Sequence, residues 1–463
     1  MSNQLNTISP VDGSVYVSRD YASQDQIQQA LEKAEQAQKA WRQVPVAERA
    51  RICSAMVDAF VAKKDQIGEE LSWMMGRPIR YGAGEVAGFE ERARHMIGAA
   101  EEALAPVQVD EKAGFTRYIK RDALGVVFVI APWNYPYLTS VNAIVPAIMA
   151  GNAVVLKHSA QTPLCAERVA EAFEAAGLPE GIFQYLHLSH ADTESVIQAP
   201  QVAHICFTGS VPGGAMVEKA AAGRFIGIGL ELGGKDPAYV RADADIDHAV
   251  ETTIDGAFFN SGQSCCGIER IYVDEAIHDQ FVEKAVALVN QYKLGRSDDP
   301  ATTLGPVVRA SAAEFVRGQV AEAVEQGAVA HINASDFPLD EAGTAYLAPQ
   351  VLTNVNHSMR VMTEESFGPV VGIQKVSSDD EAIALMNDSE FGLTASVFTK
   401  DVEAGLAIGE QLETGTFFVN RCDYLDPALA WVGVKNSGRG CTLSALGYEQ
   451  LTRPKSYHLK TEL

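Results

Sequence analysis

Residues 125–130 read GVVFVI and begin a series of short apolar runs that alternate with helical stretches. The next runs lie at residues 153–156, 183–188 and 204–207, and amphipathic segments such as 166–176 separate them. Apolar runs of this length are typical of strands that are buried on both faces and connected by helices. The pattern therefore predicts a parallel sheet covered by helices, which is an α/β fold.

The flanking regions extend this pattern. A second set of apolar runs follows Gly234, at residues 238–240 and 270–273, and predicts a further α/β unit. The first hundred residues carry apolar side chains at helical spacing and are expected to be helices. Two such faces are formed by Ile27, Leu31, Ala34 and Ala37, and by Ile52, Met56, Ala59 and Phe60. In residues 116–120 and 455–460, polar and apolar side chains alternate, which predicts a short exposed ribbon of two strands that makes a subunit contact.

Length, charge and cysteine content limit the classes of function. A chain of 463 residues predicts two or three domains, and a net charge of −23 argues against nucleic acid or an anionic membrane as partner. The N-terminus lacks a signal-peptide pattern, and the longest apolar stretch, residues 143–156, is too short and interrupted to span a bilayer. Seven cysteines without CxxC spacing indicate reduced thiols in a cytoplasmic protein and no metal site.

Cys265 ends the segment FFNSGQSC at residues 258–265. A glycine-containing turn after an apolar run can place a thiol at a pocket wall, where its thiolate would attack an electron-poor carbon. An isolated cysteine is more often a buried apolar side chain. The catalytic interpretation therefore depends on an oxyanion donor, a base and a cofactor site elsewhere in the chain.

Loops at the carboxyl ends of predicted strands supply candidates for these roles, because ligands of open α/β sheets bind there. Asn134, held between two prolines, presents an amide that can stabilise an oxyanion, although it can equally bond its own turn. Glu231 lies in an apolar strand, where burial would raise its pKa into the range of a general base, unless it points to water. Residues 208–214, TGSVPGG, open a helix and can approach an anion, but they are not a G-x-G-x-x-G fingerprint.

In combination and in this order, the segments resemble the aldehyde dehydrogenase superfamily. The matching segments are PWN at 132–134, Lys157, FTGS at 207–210, ELGGK at 231–235, GQSC at 262–265, ESFGP at 365–369, VN at 419–420 and KNSG at 435–438. They cover nearly the whole chain.

The resemblance implies a Rossmann-like cofactor-binding domain, an α/β catalytic domain and a small oligomerisation β-ribbon. We expect the cofactor-binding domain at residues 1–103 and 124–233, and the catalytic domain at 234–435. Residues 104–123 and 450–463 are expected to form the ribbon of a homodimer or homotetramer.

The resemblance also implies a reaction, the NAD(P)-dependent oxidation of an aldehyde to a carboxylic acid in the non-acylating, hydrolytic branch. Cys265 would attack the aldehyde, and Asn134 with the backbone N–H of Cys265 would hold the oxyanion. Hydride transfer would leave a thioester, and Glu231 would activate the water that hydrolyses it.

Eight positions are implied as cofactor contacts. Lys157 would reach the adenosine ribose, Gly209 and Ser210 the pyrophosphate, and Glu365 the nicotinamide ribose. The carbonyl of Leu232 would hold the carboxamide. The remaining members of the set are Trp133, Ser159 and Phe367.

Two departures from the family pattern bear on these roles. Ala160 stands where a glutamate often binds the ribose hydroxyls, so both NAD and NADP remain acceptable. Residues 441–442 are Cys-Thr, where many members carry a glutamate. The resemblance therefore does not imply an auxiliary proton relay through this position.

The sequence also leaves more than one class of aldehyde as the substrate. In the loop at residues 420–427, Arg421 would suit a carboxylate-bearing aldehyde of the succinic semialdehyde type, whereas Asp423 and Asp426 would suit an amino-aldehyde. Alternatively, these charges face solvent or each other. A cysteine hydrolase is a rival from another class, but none of the ten histidines lies in a recognisable motif for it.

Overall fold

The computed structural model describes residues 4–462, so residues 1–3 and 463 of the expected domain ranges lie outside the described residues. The described chain begins with an antiparallel pair, β1 (Gln4–Ile8) and β2 (Val15–Asp20). The expectation that the first hundred residues are helical is therefore wrong for this segment. Four helices follow: α1 (Gln24–Trp41), α2 (Val46–Val61), α3 (Lys64–Met75) and α4 (Gly82–Ala103).

The predicted helical faces are confirmed, because most of their members are buried. Ala37 and Ala59 are half-buried, at the edges of the two faces. The fully buried members are Ile27, Leu31, Ala34, Ile52, Met56 and Phe60. The first face packs against the neighbouring sheet and the second against other helices, and such burial is the main source of stability for amphipathic helices.

The middle of the chain alternates strands and helices as predicted. Its elements are β3 (Val107–Gln108), β4 (Phe115–Ala123), β5 (Val126–Ile130), α5 (Pro136–Met149), β6 (Ala153–Lys157), α6 (Pro163–Ala175), β7 (Phe183–Tyr185), α7 (His190–Gln198), β8 (Val202–Thr208), α8 (Val211–Ala221) and β9 (Gly227–Glu231). Only β7 is clearly shorter than predicted, since it ends three residues before 188.

The second half repeats the alternation. Its elements are β10 (Asp236–Val240), α9 (Ile246–Phe258), β11 (Ile268–Asp274), α10 (His278–Val289), α11 (Ala310–Glu325), β12 (Val329–Ala330), β13 (Gln350–Thr353), α12 (Arg360–Thr363), β14 (Val370–Val376), α13 (Asp379–Asn387), β15 (Phe391–Gly392), β16 (Thr394–Phe398), α14 (Val402–Gly409), β17 (Thr416–Val419), β18 (Val434–Lys435), β19 (Gly438–Arg439) and β20 (Thr452–Lys460).

These strands form two large sheets. The first has the order β19-β9-β8-β5-β6-β7 and is parallel except for β19. The second has the order β12-β13-β14-β11-β10-β16-β17 and is parallel except for β12. Helices cover both sheets, so the α/β prediction is confirmed.

A separate ribbon joins the two predicted exposed strands. β20 pairs antiparallel with β4 over nine residues, from Thr452 opposite Ala123 to Lys460 opposite Phe115, and β3 extends β4 on its other side. In this chain β20 is thus an edge strand. No helix within residues 4–462 is long and apolar enough to cross a membrane.

Candidate active site

The turn that carries Cys265 lies between α9 and β11. Asn260, Ser261 and Gly262 all have positive φ (53°, 57° and 70°), so the chain reverses in left-handed conformations. A side chain at Gly262 could not fit, because its Cβ would lie 2.2 Å from the carbonyl oxygen of Gly368. Cys265 emerges from this turn half-buried, as the sequence predicts for a thiol at a pocket wall.

The amide of Asn134 is held next to this turn. Its Nδ2 donates to the carbonyl of Gln263 at 3.2 Å, which leaves a second N–H on the same nitrogen. Its backbone carbonyl accepts from Arg77 Nη2 at 2.7 Å and from Asn260 Nδ2 at 3.2 Å. The side chain is buried and fixed, which suits an oxyanion donor.

A buried ion pair supports this arrangement and was not anticipated from the sequence. Arg77 pairs with Glu85, whose carboxylate also accepts the backbone N–H groups of Tyr137 and Leu138 at 2.9 and 3.1 Å. Both charged side chains are almost inaccessible. The signal available in the sequence was an arginine between Gly76 and Pro78 and a glutamate in the first turn of a helix.

Glu231 ends β9 with both carboxylate oxygens hydrogen-bonded. Thr208 donates to Oε2 at 3.1 Å and Thr442 donates to Oε1 at 2.6 Å. Burial raises the pKa of Glu231, and the two hydroxyls lower it. The predicted direction for a buried base is therefore confirmed, while the contact with Thr442 could not be read from the sequence.

One cleft beside Cys265 gathers most of the expected cofactor residues. It has a volume of about 240 Å³ and is lined by Trp133, Asn134, Thr208, Gly209, Ser210, Glu231, Leu232, Gly233, Cys265, Arg309, Glu365 and Phe367, together with Pro132. Lys157, the last residue of β6, and Ser159, two residues beyond it, lie outside this cleft. Arg309 is a cation in this cleft to which no motif of the sequence points.

The rims of this cleft are rigid. The rings of Trp133 and Phe367 meet edge to face with centroids 5.6 Å apart. Glu365 accepts the N–H of Gly234 at 3.0 Å, and burial raises the pKa of Glu365 to about 8. A Cβ on Gly233 would lie 2.4 Å from the Glu365 carboxylate, so a larger residue there would require Glu365 to move.

A second cavity opens on the other side of Cys265. Its volume is about 640 Å³, and Glu231, Leu232 and Cys265 line both spaces. Its apolar and aromatic walls are formed by Tyr135, Leu138, Phe259, Tyr424, Leu425 and Trp431. Its ionisable members besides Glu231 and the thiols are Glu91, Arg92, Asp255 and Asp423.

The charged loop at residues 420–427 is only partly directed to solvent. Asp423 turns into the cavity, accepts from Cys266 Sγ at 2.9 Å and Ser264 Oγ at 3.2 Å, and has its pKa raised by burial to about 7. The alternative that these charges all face solvent or each other is wrong for Asp423. Arg421 is exposed, with its guanidinium 3.7 Å from the ring centroid of Tyr424.

Arg92 is a further residue of this cavity to which no motif of the sequence points. It is buried on α4, donates to the carbonyl of Leu138 at 2.6 Å and lies 3.5 Å from Asn142 Oδ1. Among residues 4–462, it is the one cation that lines the cavity.

Comparison with known proteins decides the family. A sequence model described as "Aldehyde dehydrogenase family" matches residues 1–457. The chain belongs to this family. It is 33% identical over 454 residues to succinate-semialdehyde dehydrogenase [NADP(+)] 1 of Mycobacterium tuberculosis, which covers 98% of this chain and 99% of the relative.

Solved structures of the family share the fold. Succinic semialdehyde dehydrogenase from Streptococcus pyogenes, in complex with NADP+, has a TM-score of 0.93 and 29% identity and covers 98% of this chain and 100% of its own. Betaine aldehyde dehydrogenase from Staphylococcus aureus, in complex with NAD+, has a TM-score of 0.93 and 28% identity. The match covers 100% of this chain and 95% of that protein's chain. This aldehyde dehydrogenase is thus NAD(P)-dependent, and neither form of the cofactor is singled out.

Proposed function

We propose that Cys265, Asn134 and Glu231 carry the oxidation of an aldehyde to a carboxylic acid. The observation that carries this assignment is that Cys265 and Glu231 line both cavities. A nucleophile and a base at such a boundary can reach a substrate on one side and a cofactor on the other.

The first step is attack of the Cys265 thiolate on the aldehyde carbon. The new oxyanion accepts hydrogen bonds from the free N–H of the Asn134 amide and from the backbone N–H of Cys265. A nicotinamide cofactor held in the adjacent cleft would supply the hydride acceptor, and loss of hydride from the same carbon would leave a thioester on Cys265. Glu231 then takes a proton from water as the water attacks the thioester, and the thiolate is released with the carboxylic acid.

The proposed cofactor set is Trp133, Lys157, Ser159, Gly209, Ser210, Leu232, Glu365 and Phe367. The fit is supported by Gly233, which has no room for a Cβ beside Glu365, and by the aromatic pair at the cleft edge. The two remaining members, Lys157 and Ser159, would extend the site along the end of β6. We propose no preference between NAD and NADP.

For the substrate, we propose an aldehyde with a distal carboxylate, of the succinic semialdehyde type. The relatives named above support this choice, and Arg92 supplies a buried cation in the cavity that contains Cys265. Arg92 replaces Arg421 as the proposed carboxylate partner, because the guanidinium of Arg421 stacks on Tyr424.

A second candidate is an amino-aldehyde, and Asp423 is the observation that favours it. Its carboxylate projects into the cavity, and Glu91 and Asp255 add negative charge among the lining residues. An ammonium group would gain favourable electrostatic energy from these groups.

A substrate panel tests both assignments. Succinic semialdehyde, 4-aminobutanal and butanal are compared at equal concentration with NAD+ and NADP+, by the absorbance of the reduced cofactor. We expect succinic semialdehyde to give the highest kcat/KM and Arg92→Met to remove its advantage over butanal. Preference for 4-aminobutanal that Asp423→Asn abolishes would favour the second candidate. No reduced cofactor with any aldehyde, together with inactivation by iodoacetamide, would favour a cysteine hydrolase instead.

We further propose the domain division given above, with the ribbon of β4 and β20 as the oligomerisation element of a homodimer or homotetramer. The supporting observation is the edge position of β20, whose outer backbone groups can pair with another chain. A cytoplasmic location is proposed from the free thiols, since all seven cysteines are unpaired. Native mass spectrometry of the full chain and of a chain truncated after Leu451 tests the ribbon, because truncation is expected to give monomers.

A further inference from the structure

Glu231 is held by two threonine hydroxyls, one on each carboxylate oxygen, and Thr442 makes the shorter bond of 2.6 Å. An ionised carboxylate only accepts hydrogen bonds, whereas a protonated one has to donate its own proton. Both hydroxyls therefore favour the charged form of Glu231. Burial has the largest effect on the pKa of Glu231 and raises it, while the two hydroxyls, and after them the charge of Arg92, lower it.

The position of Thr442 is fixed by a backbone bridge. Its N–H donates to the carbonyl of Trp431 at 3.0 Å, and the N–H of Trp431 donates to its carbonyl at 2.8 Å. Thr442 is buried, and Trp431 lines the substrate cavity. The hydroxyl thus approaches Glu231 from the wall of the active site and not from a mobile surface loop.

On the side of Glu231 that faces Thr442, little space is available for water to replace this hydroxyl. A small cavity of about 20 Å³ lies against Glu231, Thr208 and Thr442, with Cys206 and Cys441 also in its lining. A space of that size holds about one water molecule. Glu231 also lines the two larger cavities, where its other side can meet water, so the threonine hydroxyls act on the side that water reaches least.

The side chain at position 442 also decides the sign of the interaction. A second carboxylate within hydrogen-bond distance of Glu231 would repel its charge, whereas the hydroxyl of Thr442 stabilises it.

Resting on the proposed function, we propose that Thr442 is a positioning residue for thioester hydrolysis. Its hydroxyl keeps Glu231 ionised and fixes its orientation, so that the base is ready at a lower pH than burial alone would allow. Thr442 touches neither substrate nor cofactor and acts only through Glu231.

The test isolates hydrolysis from hydride transfer. The enzyme is acylated with p-nitrophenyl acetate, an activated ester that reacts with a thiolate without cofactor, and loss of the acetyl mass is followed by mass spectrometry from pH 5.5 to 9. In Thr442→Val, we expect the acid limb of the hydrolysis rate to move about one pH unit upward, a tenfold loss at low pH. Thr442→Ser should restore the wild-type profile.

Thr253→Val is the matched control, because the hydroxyl of Thr253 is buried and donates at 2.7 Å to a helical carbonyl, that of Ala249. Its profile should equal that of the wild type. An unchanged profile in Thr442→Val, or a shift that Thr442→Ser does not reverse, would overturn the role of Thr442 and leave the proposed function standing. If wild-type Cys265 takes up no acetyl group, both proposals fall.

Discussion

Replacing Asn134 by alanine should slow the chemistry at Cys265 without loosening the fold. The amide uses one N–H for the carbonyl of Gln263 and has a second for the oxyanion. Loss of one such donor costs about 10²–10³-fold, or about 2.7–4 kcal/mol of transition-state stabilisation. The backbone contacts of Asn134 with Arg77 and Asn260 remain in the variant, because they use its carbonyl.

The assay for Asn134→Ala is rapid mixing with aldehyde and cofactor. The first turnover of reduced cofactor should slow by about 10²–10³-fold, while the rate of alkylation of Cys265 by iodoacetamide and the melting temperature should stay near wild type. Equal slowing of alkylation would show that the thiol itself was disturbed. A first turnover within about threefold of wild type, with the thiol intact, would refute Asn134 as the oxyanion donor.

Three further outcomes follow from ionisable groups. The pKa of Glu365 is raised to about 8, so its ionised form becomes more populated above neutral pH. Cofactor affinity should therefore rise between about pH 6.5 and 8.5, by up to about tenfold per pH unit. Titration calorimetry should find that Glu365→Gln binds the cofactor more weakly and with an affinity that does not change with pH. The pKa of Asp423 is about 7 in the folded protein against 3.8 for a free side chain, so its ionisation lowers the free energy of unfolding as the pH rises through this range. Between about pH 5 and 8, the urea midpoint of Asp423→Asn should therefore fall less than that of the wild type. Lys235→Met breaks the buried ion pair of Lys235 and Glu269, whose charged atoms lie 2.5 Å apart, and should lower the free energy of unfolding by about 3–5 kcal/mol in urea. Lys375→Met breaks an exposed ion pair and should lower it by less than about 1 kcal/mol.

The central strands were predictable because their environment is uniform. β5, β6 and β8 lie between helices in a parallel sheet, so nearly every side chain is apolar and the run stands out. β1 and β2 were missed, since a short pair with one exposed face gives only weak alternation beside strong helical signals. The long ribbon of β4 and β20 was visible as two strands, and its pairing register required the structure.

The candidate site divides in the same way. Cys265, Glu231 and Asn134 could be predicted because each lies in a local motif with its own turn or strand. Arg77 and Arg92 could not, because the contacts that bring them to the site are with Asn134 and Asn142, 57 and 50 residues away on other segments. The contact of Thr442 with Glu231 spans 211 residues, and nothing in either segment announces it.

The most direct test of the account is to trap the thioester. Glu231→Gln enzyme is mixed with aldehyde and NAD(P)+, quenched in acid, digested and analysed by mass spectrometry. We predict about one reduced cofactor per active site and an acyl group on the peptide containing Cys265 and Cys266, with Cys265→Ala giving neither. An acyl group that persists on Cys266 in Cys265→Ala, or reduced cofactor formed with no acyl-enzyme in Glu231→Gln at any time, would contradict the assignment of Cys265 as the nucleophile and Glu231 as the base.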